Sequence, residues 1–288
     1  MLAWFLALGA AFCYGLGLVL IQLGLRYLSP LQGAAITAPV AAVLFTLLSG
    51  VQVDFSQFNM TAIWIFIAIG LMFPASVTLL VFASNAQLGP NITSAIGNLT
   101  PVFAVFLGVL VLGEQIGVYQ VAGIGIVIIG ATLLTFTRLA SDKPWPYIAL
   151  LLPLGGAFVR GITQPGIKWG LSYWPEPLVA GTIGYIVSAI MLSAYFVFKR
   201  GNSRAIWTSP GSPWFISAGL VNGVAVLLTY SALNIGEVAE VSPLIATYPL
   251  ATLLLSSLVF KTASWNVRQA LGILTTVVGV GVILIAGT

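Results

Sequence analysis

Charge is scarce in this sequence and histidine is absent. Only 6% of the 288 residues are Asp, Glu, Lys or Arg, and 59% are hydrophobic, whereas a soluble domain carries roughly 25% charged residues. A water-soluble globule is therefore excluded. With no His and one cysteine, Cys13, the chain cannot build His-based metal centres, imidazole acid–base catalysis or an intrachain disulfide. No glycine cluster reads G-x-x-x-x-G-K-[ST], so the phosphate-cradling loop of an ATP-driven pump is missing. Ten basic and six acidic residues leave a formal charge of +4, too dilute for a nucleic-acid groove. These absences argue against an enzyme, a cofactor and a protein-bound metal. The basic residues become topology signals instead.

Long apolar runs are what the chain has in place of charge. They cover residues 2–25, 31–50, 62–84, 92–112 and 117–137, then 145–171, 178–198, 214–234, 241–260 and 269–286. Each is about the length of a helix crossing the hydrocarbon core, and their continuous apolarity is unlike the alternation of barrel strands. The first run has no basic leader and no clear A-x-A site, so it reads as a retained span rather than a signal peptide. The predicted fold class is an all-α integral membrane protein of ten transmembrane helices.

The polar link 138–143 separates five spans from five, and the halves match at an offset near 147 residues. Ala11-Phe12-Cys13-Tyr14-Gly15 aligns with Ala157-Phe158-Val159-Arg160-Gly161, Pro101 with Pro249, and Gly123 and Gly130 with Gly272 and Gly279. Because five is odd, a second copy enters the membrane from the opposite face. The expectation is two inverted five-helix repeats, 1–140 and 141–288, around a central cavity, an arrangement typical of secondary transporters.

At this point the chain resembles the drug/metabolite transporter superfamily, in particular its ten-span EamA-like members. The resemblance rests on Tyr14-Gly15 with Ser29-Pro30, on Leu99-Thr100-Pro101 leading to Leu112-Gly113-Glu114, and on the spaced glycines of 120–130. Tyr248-Pro249 and 269–279 repeat the pattern in the second half, while Lys261-Thr262 departs from the Leu-Gly-Glu ending of the first. The resemblance implies a transporter of small organic metabolites, often an exporter of amino acids, with the aromatic-amino-acid exporters as the nearest type. The setting it implies is a bacterial inner membrane, with the protein a monomer or homodimer.

Polar side chains at membrane depth should face inward, since a charge exposed to lipid there costs at least ~2.5 kcal/mol. Arg160 is the strong central charge. With Gln164 and Lys168 it forms an i, i+4, i+8 stripe, and the repeat-related stripe is Tyr14, Leu18 and Gln22. Arg160 either offers a bidentate guanidinium to a substrate carboxylate or satisfies carbonyls freed by Pro153 and Pro165. Lys168, near a helix end, is expected to snorkel. Further candidates are Thr78 and Asn85, then Asn91, Ser94 and Asn98, Asn222 with Tyr230, and Thr247 with Tyr248. Such groups suit a small zwitterion, although they also glue helices together.

Glu237 and Glu240 read as caps on the helix dipole of the ninth span. With Glu114 and Asp54 also in connections, no carboxylate stands at mid-span, which disfavours proton exchange for a cationic drug. Pro39, Pro74, Pro101, Pro153, Pro165 and Pro249 should interrupt their spans. Gly166/Gly170 and Gly219/Gly223 match small-x-x-x-small packing. The glycosylation triplets at Asn59, Asn91 and Asn98 read as coincidence.

The reading is a carrier that moves a carboxylate-bearing or zwitterionic small molecule through the bilayer by alternating access. A membrane-embedded enzyme acting on a lipid-linked substrate and a passive channel are the alternatives. Arg26, Arg138, Lys143, Lys199, Arg200, Arg204, Lys261 and Arg268 fall at odd-numbered connections, which predicts both termini outside the cytoplasm.

Overall fold

The computed structural model describes residues 1–53, 58–135, 147–199, 206–260 and 267–286. The long elements are α1 (Leu2–Gly24), α2 (Pro30–Gln52), α3 (Met60–Met72), α4 (Ala75–Gly97), α5 (Thr100–Leu112) and α6 (Val118–Thr135). A 3-10 turn (Tyr147–Leu150) then leads into α7 (Leu151–Tyr173), α8 (Pro177–Phe198), α9 (Ser212–Ile235), α10 (Val238–Ile245), α11 (Tyr248–Phe260) and α12 (Val267–Ala286). Among the described residues eight stretches are long and apolar enough to cross a membrane, and Thr100–Leu112 and Val118–Leu133 are shorter apolar helices. These account for the ten expected spans. The expected repeat boundary at 140/141 lies outside the described residues.

Local chemistry sets several helix starts. Ser29 and Gln32 close a capping box on α2, with Pro30 at the first helical position. The Asn59 side chain accepts from the Thr61 and Ala62 amides at the start of α3, 2.9 and 3.2 Å away. Gly113 ends α5 with φ 70°, a left-handed conformation that glycine adopts without penalty.

Three pairs of close contacts carry the inverted symmetry into the packing. A Cβ on Gly15 of α1 would lie 2.6 Å from Ala251 and 3.0 Å from the Tyr248 carbonyl, and one on Gly161 of α7 would lie 2.5 Å from Phe103 and 3.2 Å from the Thr100 carbonyl. Gly24 packs on the Phe215 ring as Gly170 packs on Phe66. Gly219 meets Thr37 and Val40 as Gly70 meets Gly184 and Val187. In each pair the partners are related by about the same offset, and each repeat contributes its glycine to a helix of the other. The α6–α12 seam is equally close, with the Gly123, Gly130 and Gly279 positions pressed against the facing backbone.

Prolines break some spans and not others. The third span divides at the cis Phe73–Pro74 bond between α3 and α4. The fourth and ninth spans divide just before Pro101 and Pro249, whose missing N–H groups leave carbonyls one turn back without a donor. The Thr100 hydroxyl donates at 2.8 Å to the Gly97 carbonyl that Pro101 leaves, and in the related place the Thr247 hydroxyl donates to the Leu244 carbonyl at 2.7 Å. Pro39 and Pro165 instead lie inside continuous helices, and Pro153 sits in the first turn of α7, where no donor is needed. The expected interruptions at these three positions are not seen. The connection expected at 85–91 is part of α4.

Candidate functional site

The ends of the helices define two faces. One, the terminal face, carries the start of α1 and the connections between α2 and α3, α5 and α6, α7 and α8, and α9 and α10. The other carries the α1–α2 connection with the end of α8 and the start of α9, and is packed with Leu28, Ile36, Phe196, Ile206 and Phe215.

Between the faces, α2, α4, α8 and α9 surround a cavity of about 60 Å³ lined by Thr37, Pro74, Thr78, Tyr185 and Asn222, with Gly219 at its wall. Asn222 lies directly against Gly17 of α1, where no side chain would fit. Tyr185 links the cavity to a second group of polar side chains. It stacks on Phe45 with ring centroids 5.2 Å apart and is within electrostatic reach of Tyr14 and Tyr230. Tyr14 is in turn within reach of Arg160, and its hydroxyl lies 3.4 Å from that of Thr229. The first helix of each repeat thus brings its matching residue, Tyr14 or Arg160, to one region at mid-span.

Arg160 is partly exposed, and among the described residues no carboxylate pairs with it. Lys168, on the same face of α7, does not snorkel. Its ammonium lies 2.6 Å from Glu114, whose side chain is only 5% exposed. Glu114 also accepts from the Val238 and Ala239 amides at 2.9 and 3.1 Å. It therefore caps α10, the role expected of Glu237 and Glu240. Glu237 occupies the N-cap position without a side-chain cap bond, and Glu240 accepts from the Trp4 indole at 2.8 Å. Burial pushes the Glu237 carboxyl above its usual range; the Glu114 and Glu240 charges add to this and Lys168 opposes it.

The remaining sequence candidates scatter. Gln164 is buried on the Arg160–Lys168 face with an unpartnered carbonyl oxygen. Asn98 lies in the α4–α5 break, 1% exposed, with neither amide atom bonded. The Tyr248 hydroxyl approaches Gly97 beside that break, 3.9 Å from where a Cβ would stand. Leu18 and Gln22 are exposed on α1, away from the Tyr14 cluster. The side chains of Asn85, Asn91 and Ser94 lie outside the described residues. Sequence reasoning missed Thr37 and Tyr185, single polar groups inside strongly apolar runs. It also separated Lys168 from Glu114, which no short-range spacing connects.

A family model described as "EamA-like transporter family" matches residues 1–136 and again 147–285. A solved structure titled "Crystal structure of protein" aligns over 99% of this chain and 96% of its own length, with a TM-score of 0.82 at 15% identity. At that identity the likeness shows the fold alone. No curated protein matches the chain.

Proposed function

Because the chain belongs to the EamA-like transporter family, and is an integral membrane transporter of small molecules, we propose that its cargo is an amino acid or similar zwitterion carried by alternating access. The observation that supports this reading is the Arg160 guanidinium at mid-span, with no carboxylate paired to it among the described residues and within electrostatic reach of Tyr14. An unpaired charge at that depth is costly, and a carboxylate matches its planar donors in a bidentate pair. Tyr185, Thr37, Thr78 and Asn222 supply hydroxyl and amide partners, and Tyr230 supplies an aromatic wall for an apolar side chain.

The cavity of about 60 Å³ is far below the roughly 300–1,000 Å³ of a ligand pocket. A metabolite enters only when the helices move apart, which fits a carrier with more than one state better than a standing channel. Counterflow of labelled amino acids into proteoliposomes, competed by a panel of metabolites, tests the proposal. Saturable exchange that carboxylate-bearing amino acids compete is expected. Flux that never saturates would indicate a channel, and competition confined to molecules without a carboxylate would refute the cargo class.

A further inference from the structure

We propose that Glu114, gripping Lys168 and the first turn of α10, is a latch that shuts the transport pathway at the terminal face and biases the carrier toward the state closed there. This inference rests on the alternating-access reading. Glu114 follows Gly113 at the end of α5, in the first repeat, and every donor it uses belongs to the second. One oxygen takes the Lys168 ammonium and the Val238 amide, and the other takes the Ala239 amide. A second link beside it has the same form: Trp4 of α1 donates to Glu240 of α10. The two repeats are thus tied across this face by charge-assisted bonds converging on one eight-residue helix.

Two features mark this as a latch rather than a fixed strut. A carboxylate, an ammonium and helix amides can all be hydrated when water enters, so the contact can be exchanged for solvent in an open state. The apolar packing at the other face has no such exchange available. The contact is also absent from the symmetry that governs the rest of the packing. Lys168 corresponds to Gln22, and the Leu-Gly-Glu ending at 112–114 corresponds to a segment with Lys261-Thr262. When inverted repeats exchange conformations, one face acquires the contacts that the other has lost. The second-half segment that corresponds to Glu114 has no carboxylate in its sequence, so the latch has no repeat-related counterpart and favours this state. Among the described residues Glu237 and Glu240 of the same helix stand beside it, and the Glu237 carboxyl is held above its usual range by burial and by the Glu114 charge.

The test uses Gln164→Cys as reporter in a Cys13→Ser background. Gln164 is buried one turn below Lys168 on α7, and Gln115→Cys, exposed next to Glu114, serves as the labelled control. A membrane-impermeant maleimide is applied to vesicles of both orientations, without substrate. The reporter should be protected from the terminal face. Glu114→Gln or Lys168→Met should raise its labelling from that face about tenfold, the factor carried by one hydrogen bond to a charged group. Lys168→Arg, which keeps the charge, should stay protected. If Glu114→Gln is not monodisperse on size exclusion, Lys168→Met decides alone, because it leaves the α10 cap in place. Unchanged protection in the folded variants, labelling that rises equally from both faces, or Lys168→Arg behaving as Lys168→Met would overturn the latch. Since no substrate is added, a failed amino-acid counterflow alongside the expected labelling refutes only the cargo.

Discussion

At the scale of single residues, Arg160 and Glu237 make opposite uses of charge. Arg160 acts through the planar fork of its guanidinium, so its effect is geometric. Arg160→Lys keeps the charge and loses the planar fork, and transport should weaken while the fold persists. Arg160→Gln should raise the half-saturation concentration for a carboxylate-bearing amino acid by about tenfold or more, the worth of one charge-assisted hydrogen bond. The matching decarboxylated amine should change little. Uptake of such matched pairs by purified, monodisperse variants checks this, and equal losses for both would assign Arg160 to structure. Glu237 acts through its proton. Its carboxyl is raised in the folded protein by burial first, then by Glu114 and Glu240, so the folded state holds that proton more tightly than the unfolded chain. The resulting stabilisation is complete below the usual carboxylate range and is lost as pH rises through the raised value. Wild-type protein should therefore gain melting temperature on mild acidification relative to Glu237→Gln, and parallel pH profiles for the two would contradict it.

At the scale of elements, close approach between helices depends on a few glycines at repeat-related positions. A Cβ at Gly161 would fall within 2.5 Å of Phe103, whereas one at Gly281 meets nothing within 4 Å. Gly161→Val should cost roughly 1–3 kcal/mol by overpacking and lower the melting temperature by several degrees. Gly281→Ala should leave it unchanged or raise it, because alanine is the better helix former by about 1 kcal/mol. Thermal unfolding of the two variants in one detergent compares them directly. Much of this architecture was legible in the sequence. Apolar runs of helical length fix the number of spans, and an odd count per half forces inversion. The Tyr14–Gly15 and Arg160–Gly161 match paired the first helix of each repeat, and the structure adds that Gly15 and Gly161 mark the crossings on α11 and α5. Boundaries were less legible, since 85–91 is polar enough to read as a connection yet continues α4. The same residue type also behaved differently by place: Pro101 and Pro249 follow breaks, while Pro39 and Pro165 are absorbed by neighbouring turns. The Glu114–Lys168 pair was illegible because it joins residues 54 apart, and a glutamate in a connection looks solvated until the chain is folded.

For the whole molecule, the two faces differ in charge as well as in packing. Asp54, Glu114, Glu176, Glu237 and Glu240 fall at or beside even-numbered connections, on the terminal face, with Lys168 as the one basic residue near them. Eight of the ten basic residues fall at odd-numbered connections, and an excess of Lys and Arg in short loops marks the cytoplasmic side, with acids counting for little. Both termini and the Glu114 latch should accordingly face away from the cytoplasm. The cavity is lined by Thr37, Leu192 and Gly219, each about two turns from the basic end of its helix, and so lies toward the basic half. If that orientation holds, a carrier latched at the terminal face with its cavity in the basic half should exchange cargo with the cytoplasm first. Fusion of a periplasm-active phosphatase and of a cytoplasm-folding fluorescent protein after Thr288 checks the orientation. Phosphatase activity without fluorescence is expected. Fluorescence without phosphatase activity would reverse the assignment of both faces and place the latch on the cytoplasmic side.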